Sequence, residues 1–414
     1  MPDSLTTTCC IAGGGPAGMM LGLLLARAGI DVVVLEKHAD FLRDFRGDTI
    51  HPSTLEIMDE LGLLDAFLKR PHQKVSEIGA HIGDEHLIIA DFSHLPTRCK
   101  FIAFMPQWEF LDFLAGEAKR RPTFRLMMEA EVVGLVEREG RVDGCRVRGP
   151  EGEFEVKAAL TVGADGRHST LRQTAGLTVK DLGAPIDVLW LRLSKQPGDP
   201  PRSFGRIDAG RVLIQIDRGD YWQCAFVIAK GSIDAMRARG LDALRAEIAR
   251  LAPHLAGRVG EIGSWDDAKL LTVAVDRLER WHRPGLLCIG DAAHAMSPVG
   301  GVGINLAIQD AVAAANLLHE PLLRGRVEAP DLKRVQRRRE LPTKVTQFVQ
   351  VTAHKRVIAP VLVAHGNITV PLPLRLIQRF PALRRIPARA IGLGLRPEHV
   401  RSPDVGPSPS AQVE

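Results

Sequence analysis

The first residues whose spacing could serve chemistry are glycines near the start of the chain. Gly13, Gly15 and Gly18 follow the pattern GxGxxG, and Ala17 lies in the same turn. Such a turn lets the backbone approach a pyrophosphate, and the helix after it points its positive end at the phosphates. Glu36 ends the next strand-like run, where a carboxylate accepts hydrogen bonds from ribose hydroxyls and repels a 2′-phosphate. The segment therefore predicts a site for FAD or NAD rather than NADP.

Two further short motifs pair an aspartate with a glycine directly after an apolar run. Asp165 precedes Gly166 in the segment VGADGRHSTLRQ, and Asp291 follows Gly290 in LLCIGDAAHA. The carboxyl ends of parallel strands are where α/β proteins bind ligands. A short carboxylate at Asp291 can accept a hydrogen bond from a ribityl hydroxyl, although it could also cap a short helix. The chain has no second GxGxxG, so these later motifs favour FAD for the first site.

A glycine-rich segment, SPVGGVGIN, follows the second of these motifs. Gly301 and Gly303 let the backbone come close to a flat ring. The helix that starts around Gly303, Ile304 and Asn305 directs its free N–H groups at whatever lies there. Pro298 stands beside the same position, with a simple turn proline as the alternative interpretation.

These motifs need a parallel sheet to position them. Residues 6–12 and 32–36 have strand composition, and residues 16–28 between them have helical composition, so they predict one βαβ unit. Residues 178–280 lack this rhythm and predict an antiparallel sheet with an amphipathic helix over 233–250.

The composition is that of a globular protein, with 45% hydrophobic and 25% charged residues. The net charge is +5 and the pI is about 9.0, but the basic residues are spread along the chain, which does not favour nucleic-acid binding. The six cysteines form no CxxC pair and have no histidines at zinc spacing, so we expect buried thiols and no metal site. We find no export signal and no membrane span, and we expect a cytoplasmic protein.

Taken in order, the glycine turn, Glu36, the two aspartate motifs and the glycine-rich segment resemble the three fingerprints of the group A flavoprotein monooxygenases. This family includes para-hydroxybenzoate hydroxylase and the ubiquinone-pathway hydroxylases. The resemblance implies an FAD enzyme that consumes NADH or NADPH. It also implies insertion of one atom of O₂ into an aromatic substrate, phenolic or polycyclic, through a flavin C4a-hydroperoxide.

The same resemblance implies roles for individual residues. Asp165 would serve both FAD and the nicotinamide cofactor, and Pro298 would lie beside the flavin ring. Three looser matches would also contact the cofactor: Arg46, Gln107 and, through its backbone, Val132. A surface salt bridge or a helix cap is the alternative for Arg46 and Gln107.

The predicted architecture is an α/β fold whose Rossmann-like FAD-binding domain is discontinuous, over residues 1–177 and 281–330. An antiparallel-sheet substrate domain over 178–280 is inserted into it. A helical C-terminal region over 331–400 and a disordered tail over 401–414 complete the chain.

The only tyrosine, Tyr221, opens a strand-like run and is the catalytic candidate of the substrate domain. Related hydroxylases place tyrosines in this sheet, and phenol hydroxylation gains from help with deprotonation. Alternation places Tyr221 and Gln223 on one face of the strand, with Trp222 and Cys224 on the other. A packing role at the strand end is the alternative.

The segment 371–396 mixes apolar residues with six arginines, a composition that could lie on a membrane. Its three internal prolines interrupt a continuous helix, so we expect a packed or flexible segment instead. The expected partners are a small aromatic substrate and O₂, with the protein a monomer or homodimer. An oxidase, epoxidase or reductase of the same fold, or a flavin-binding protein without turnover, remains the alternative function.

Overall fold

The computed structural model describes residues 4–42, 49–200, 203–366 and 368–406. Within these ranges the strands, in chain order, are β1 (Ser4–Ala12), β2 (Val32–Leu35), β3 (Thr49–Ile50), β4 (Gln73–Val75), β5 (Glu77–Ile82), β6 (Glu85–Asp91), β7 (Ile102–Phe104), β8 (Phe124–Met127), β9 (Glu131–Arg138), β10 (Arg141–Gly149), β11 (Gly152–Gly163), β12 (Val179–Asp181), β13 (Ile186–Ser194), β14 (Phe204–Asp208), β15 (Arg211–Asp217), β16 (Tyr221–Ala229), β17 (Lys269–Leu271), β18 (Asp276–Leu278), β19 (His282–Arg283), β20 (Leu286–Cys288) and β21 (His294–Ala295).

The α-helices of the same ranges are α1 (Pro16–Arg27), α2 (Pro52–Glu60), α3 (Leu64–Phe67), α4 (Gln107–Ala118), α5 (Thr170–Thr174), α6 (Ile233–Ala238), α7 (Leu241–Leu251), α8 (Gly303–Leu323), α9 (Ala329–Ala353), α10 (Ala359–Leu362), α11 (Leu372–Arg379) and α12 (Arg385–Gly392). A π-helical turn, His354–Ile358, joins α9 to α10. Short 3₁₀ turns include Gly290–Ala292 and Val299–Gly301.

The first sheet has a parallel core with the strand order β8-β2-β1-β11-β20. Helix α1 connects β1 to β2 and is buried over almost its whole length, because it packs between α4 and α8 as well as on the sheet. The predicted βαβ unit is confirmed. Strand β2 and the last four residues of β1 are apolar and buried, as expected for a sheet covered on both faces.

The second sheet has the order β17-β13-β16-β15-β14-β5-β6. Its pairs are antiparallel except for β14 with β5, which confirms the predicted character of this part of the chain. Two of its strands, β5 and β6, come from residues 77–91, so the sheet uses more of the chain than residues 178–280. The predicted helix over 233–250 is two helices, because Gly240 adopts φ 88° between them.

The C-terminal region is helical, as predicted, with α9 packed on α8 and with α11 and α12 covering strand β6. The prediction of a disordered tail from residue 401 does not hold for residues 401–406. Asp404 pairs with Arg27 at 3.2 Å and with Arg121 at 2.7 Å, and the amide of Val405 donates to the carbonyl of Arg27. Residues 407–414 lie outside the described ranges.

Among the described residues, one helical stretch, Val299–Leu323, is long and apolar enough to cross a membrane. Its most apolar window is 78% buried inside the protein, as in a core helix. The six cysteines are free and buried.

Candidate active site

The glycine-rich turn after β1 has no room for side chains at two positions. Gly13 has φ 103°, and a Cβ there would lie 2.3 Å from the carbonyl oxygen of Ala164; a Cβ at Gly18 would lie 1.9 Å from the carbonyl oxygen of Gly13. A Cβ at Gly15, by contrast, would meet nothing within 4 Å, so this backbone faces open space at the start of α1. The turn is therefore shaped to let a pyrophosphate approach a helix N-terminus.

Glu36 lies just after β2, beside this turn, and is buried. Its carboxylate accepts hydrogen bonds from the amides of Gly14, at 2.9 Å, and His38, at 3.1 Å. The side chain thus holds the turn, a role that the sequence interpretation did not include. Its contact with a ribose remains a prediction.

The two aspartate motifs meet the glycine turn at the same edge of the sheet. A Cβ at Gly290, where φ is 58°, would lie 3.1 Å from the Cβ of Ala17. Asp291 keeps 35% of its side chain exposed, and its carboxylate lies 3.6 Å from the guanidinium of Arg167. Motifs that are more than 100 residues apart in sequence therefore converge at one edge of the sheet.

Asp165 contributes a carboxylate that the fold satisfies only in part. One oxygen accepts a hydrogen bond from the amide of Leu171 at 3.1 Å. The other is buried and has no partner among the described residues. Burial raises the pKa of Asp165 despite the hydrogen bonds that it accepts. This oxygen points into the protein, since an added Cβ at Gly163 would lie 3.4 Å from it, and the structure therefore does not present it to a bound group.

The glycine-rich segment forms a tight turn before α8. Gly300 and Gly301 have φ of 81° and 62°, and the hydroxyl of Thr49 donates to the carbonyl of Gly301 at 3.0 Å. Pro298 is half-buried at the start of this turn, and Gly303 is the first residue of α8. The N-terminus of α8 is thus presented at the turn, as predicted.

Asn305 and Ile304 do not offer their side chains to this position. The side-chain oxygen of Asn305 accepts from the amide of His51 at 2.9 Å and from the hydroxyl of Thr54 at 2.7 Å. Ile304 packs against the main core. Only the backbone of these two residues can serve a ligand, so their side chains are structural.

Helix α9 holds the same turn from behind, through contacts that sequence reasoning missed. Gln350 donates to the carbonyls of Ser297 at 3.0 Å and Val299 at 2.9 Å, and it accepts from the amide of Ser297. His354, in the π-helical turn, lies 2.8 Å from the hydroxyl of Ser297, and both are buried. π-turns inside helices are frequent at functional sites, but this π-turn is visible in the structure and not in the sequence.

The looser predictions are placed as follows. Gln107 is the first residue of α4 and half-buried. Val132 lies in β9 and packs at the edge of two apolar clusters. Arg46 lies outside the described residues.

Tyr221 opens β16 opposite Ser194, and the guanidinium of Arg192 lies 4.0 Å from its ring centroid. It shares a face with Ala225 and Val227, which cluster with Val299 of the glycine-rich segment. Tyr221 itself is roughly 13 Å farther along the strand from Ala225. The geometry is that of a strand-end residue stacked under an arginine and adds no support for a catalytic role.

The wall of the second sheet that shares a cluster with Val299 is apolar. Besides Ala225 and Val227 it includes Trp190 on β13 and Ile214 on β15. The indole N–H of Trp190 is buried and has no acceptor among the described residues. This donor was not foreseen from the sequence.

The family described as FAD binding domain matches residues 6–349, and the chain belongs to this family. With the converging motifs, this makes the protein an FAD-dependent monooxygenase of the aromatic hydroxylase type. The chain is 33% identical over 405 residues to 6-methylpretetramide 4-monooxygenase from Streptomyces rimosus, covering 97% of this chain and 95% of the relative.

Two other similarities are more distant. Dialkyldecalin synthase from Streptomyces rugosporus is 27% identical over 330 residues, covering 74% of this chain and 64% of that protein. The solved structure of anhydrotetracycline hydroxylase from Streptomyces rimosus superposes with a TM-score of 0.71 at 23% identity. It covers 94% of this chain and 76% of that one, and shows the shared fold.

Replacing Asp291 by alanine should weaken FAD binding. The change removes a half-exposed acceptor at the edge of the first sheet, and a lost hydrogen bond of this kind costs about 1–3 kcal/mol, or roughly five- to 150-fold in affinity. Titration of the apoprotein with FAD, followed by flavin fluorescence, measures the effect. Asp266→Ala, on an exposed turn of the other domain, is the matched control. Unchanged flavin affinity in the Asp291 variant contradicts the assignment.

Proposed function

We propose that this enzyme hydroxylates a large, flat, electron-rich aromatic compound that binds beside the glycine-rich segment, where Val299 packs on the apolar wall of the second sheet. The observation that carries the proposal is this contact, because it brings the segment predicted to face the flavin ring against an apolar surface. A wall of this kind favours burial of a broad apolar surface over recognition of a small polar acid. The similarity to 6-methylpretetramide 4-monooxygenase along almost the whole chain supports hydroxylation of such a compound.

Trp190 is the proposed polar contact of this wall. This N–H is covered by the protein and has no acceptor among the described residues, so a phenolic or carbonyl oxygen on the substrate would satisfy it once neighbouring side chains move aside. Because indole donates only, it would orient the substrate without taking up its proton.

The chain's own residues then have distinct proposed tasks. Bound FAD supplies electron transfer from NADH or NADPH and the activation of O₂. Gly15 and the start of α1 would hold the pyrophosphate, Glu36 the ribose, and Asp291 the ribityl chain. The amides at the start of α8 would stabilise negative charge on the reduced ring. The apolar wall would exclude water from the reacting atoms.

We further propose that residues 1–177, apart from β5 and β6, form the FAD-binding domain with residues 281–330, and that residues 178–280 form the substrate domain together with β5 and β6. Six free, buried thiols support a cytoplasmic location.

The reaction is tested by screening phenols and polycyclic aromatic compounds for faster oxidation of NADH or NADPH, then repeating active cases under ¹⁸O₂. We expect a strong rise in the oxidation rate and one labelled oxygen atom in the product. A product without label, or peroxide alone with every compound, would instead indicate an oxidase or dehydrogenase on this fold.

Trp190→Phe should raise KM for the substrate about fivefold while leaving kcat nearly unchanged, because it removes one hydrogen bond worth about 1 kcal/mol. Steady-state kinetics with the compound found in the screen measures both constants. Trp265→Phe, on the opposite side of the sheet, is the matched control. An unchanged KM in the Trp190 variant excludes this contact.

A further inference from the structure

One stretch of the chain combines positive charge with exposed apolar side chains. Residues 341–397 contain nine lysine and arginine residues and no aspartate or glutamate. Most of the large apolar side chains that the structure leaves exposed also lie in this stretch. In helices α11 and α12 and the turn between them, exposed apolar side chains lie next to exposed arginines.

The prolines of this stretch do not prevent these helices. Pro373 lies in the first turn of α11, and Pro387 is the third residue of α12, where the missing N–H breaks no helical hydrogen bond. The expectation of an interrupted, packed segment is confirmed: a 3₁₀ turn that begins at Pro381 separates two short helices, and one side of each packs on the protein while the other is exposed.

The exposed side of α11 carries two pairs with helical i, i+4 spacing. Leu372, which is 68% exposed, is followed by Leu376, and Arg375 is followed by Arg379. Phe380 continues the apolar line just after the helix.

Helix α12 repeats this arrangement. Ile386, which is 67% exposed, lies beside the exposed pair Arg385 and Arg389. Its opposite side is buried, and Ala388 packs in a cluster with Phe92.

Both helices pack on β6, so their exposed sides point away from the same strand. The side chain of Gln378 on α11 donates to the carbonyl of Ile88 in β6 at 2.8 Å. A Cβ at Gly392, the last residue of α12, would lie 2.8 Å from Leu95 just beyond β6. The two exposed sides therefore form one surface, which we call the arginine-leucine surface: Leu372, Arg375, Leu376, Arg379, Phe380, Arg385, Ile386 and Arg389.

The charges of this surface are not neutralised by the protein. In the part of the chain that the structure describes, no carboxylate lies within ion-pair distance of Arg375, Arg379, Arg385 or Arg389. The guanidinium of Arg379 instead lies over the ring of Phe380, 5.9 Å from the ring centroid. A partner must therefore supply negative charge and also cover apolar side chains.

We propose that the arginine-leucine surface binds an anionic phospholipid bilayer. Arginine side chains would reach the lipid phosphates while the leucine, isoleucine and phenylalanine side chains enter the interface, as in helices that lie in the plane of a membrane. A second copy of the chain would bring arginines against arginines, which is repulsive. An acidic protein would need a pocket for each projecting side chain, whereas a bilayer accepts them without complementary shape.

The test is sedimentation of the FAD-loaded protein with vesicles of phosphatidylcholine, alone or mixed with phosphatidylglycerol. We expect binding to the mixed vesicles and little to the neutral ones. Arg375→Gln with Arg379→Gln should weaken that binding about fivefold for each charge removed, since a basic residue near an anionic surface contributes about 1 kcal/mol. Leu372→Ser with Leu376→Ser should also weaken it.

Arg125→Gln with Arg250→Gln removes the same charge from exposed positions elsewhere and should bind as the parent does. Flavin content and circular dichroism confirm that each variant is folded. Absence of binding to the mixed vesicles, or equal loss in this control, overturns the proposal. So does an effect of the arginine pair without one of the leucine pair, which would show electrostatic adsorption to the vesicles without insertion of the apolar side chains. A dimer in analytical ultracentrifugation that the leucine substitutions dissociate would show that a second copy covers the surface.

Discussion

Replacing Asp310 by asparagine is expected to lower the free energy of unfolding by about 3–5 kcal/mol and to weaken FAD binding, because it breaks a buried ion cluster. One carboxylate oxygen of Asp310 accepts hydrogen bonds from the imidazole of His294 at 2.6 Å and the amide of Gly290 at 3.1 Å. The other accepts from Arg339 at 3.0 Å. Asparagine keeps the shape but leaves the buried Arg339 with less compensating charge.

The effect on FAD follows from the place of Gly290. Its amide is fixed by Asp310, and Asp291, the next residue, is the proposed ribityl contact. The cluster also reaches the C-terminal region, since Arg339 donates to Glu398 at 3.3 Å. One substitution therefore loosens the cofactor turn and the packing of residues 396–398.

The pH dependence has a definite sign. Burial alone would raise the pKa of Asp310, but His294 and Arg339 outweigh it and lower the pKa below its ordinary value. The stabilisation by this carboxylate is thus present above pH about 4, the ordinary range of an aspartate, and is lost as the pH falls through the lower folded-state pKa. The deficit of the variant should be largest near neutral pH and shrink under acid conditions.

Urea unfolding of the apoprotein at neutral and acid pH measures this deficit, and FAD titration measures the change in affinity. Asp242→Asn removes a carboxylate of the same kind from the exposed end of α7, where its ion pair with Arg245 should contribute little. If Asp310→Asn unfolds at the same urea concentration as this control, the cluster does not stabilise the fold.

Local pattern was enough to predict that the candidate cofactor residues lie at one edge of the sheet. The strand pattern placed β1, β2, β11 and β20, and parallel strands end at one edge of a sheet. Gly13, Glu36, Asp165 and Asp291 follow those four strand ends, so their convergence could be expected from the sequence. The positive φ of Gly13 and Gly290 agrees with the requirement for glycine at these turns.

The contacts behind the turn could not be predicted because they join distant parts of the chain. His354 is 57 residues from Ser297, and Asn305 is 254 residues from its partner His51. Periodicity describes which side of a helix is buried, but not what it packs against. For the same reason Tyr221 was predicted as the catalytic candidate from its residue type alone. Trp190 was identified as a candidate only in the structure, where its strand β13 pairs with β16.

Gly301→Ala is expected to lower the free energy of unfolding by about 2–4 kcal/mol. We also expect it to weaken the affinity for FAD roughly tenfold or more. Alanine at φ 62° costs roughly 1 kcal/mol. Its Cβ would also lie 2.3 Å from the hydroxyl oxygen of Thr49, and overpacking of this kind adds roughly 1–3 kcal/mol. The hydroxyl of Thr49 also donates a hydrogen bond to the carbonyl of Gly301. Because this bond holds Thr49 against the turn, relief of the overlap must shift the turn away from the start of α8.

Gly300→Ala is the matched control, because φ is 81° there but the nearest atom to an added Cβ, on Val302, is 3.7 Å away. It should show only the backbone effect of roughly 1 kcal/mol. Adding Thr49→Ala to Gly301→Ala should recover part of the loss, because the overlapping oxygen is gone. Urea unfolding and FAD titration of the single and double variants give the coupling energy between the two sites. Equal losses for Gly300→Ala and Gly301→Ala, with no recovery in the double variant, would show that Thr49 does not hold the turn against the flavin site.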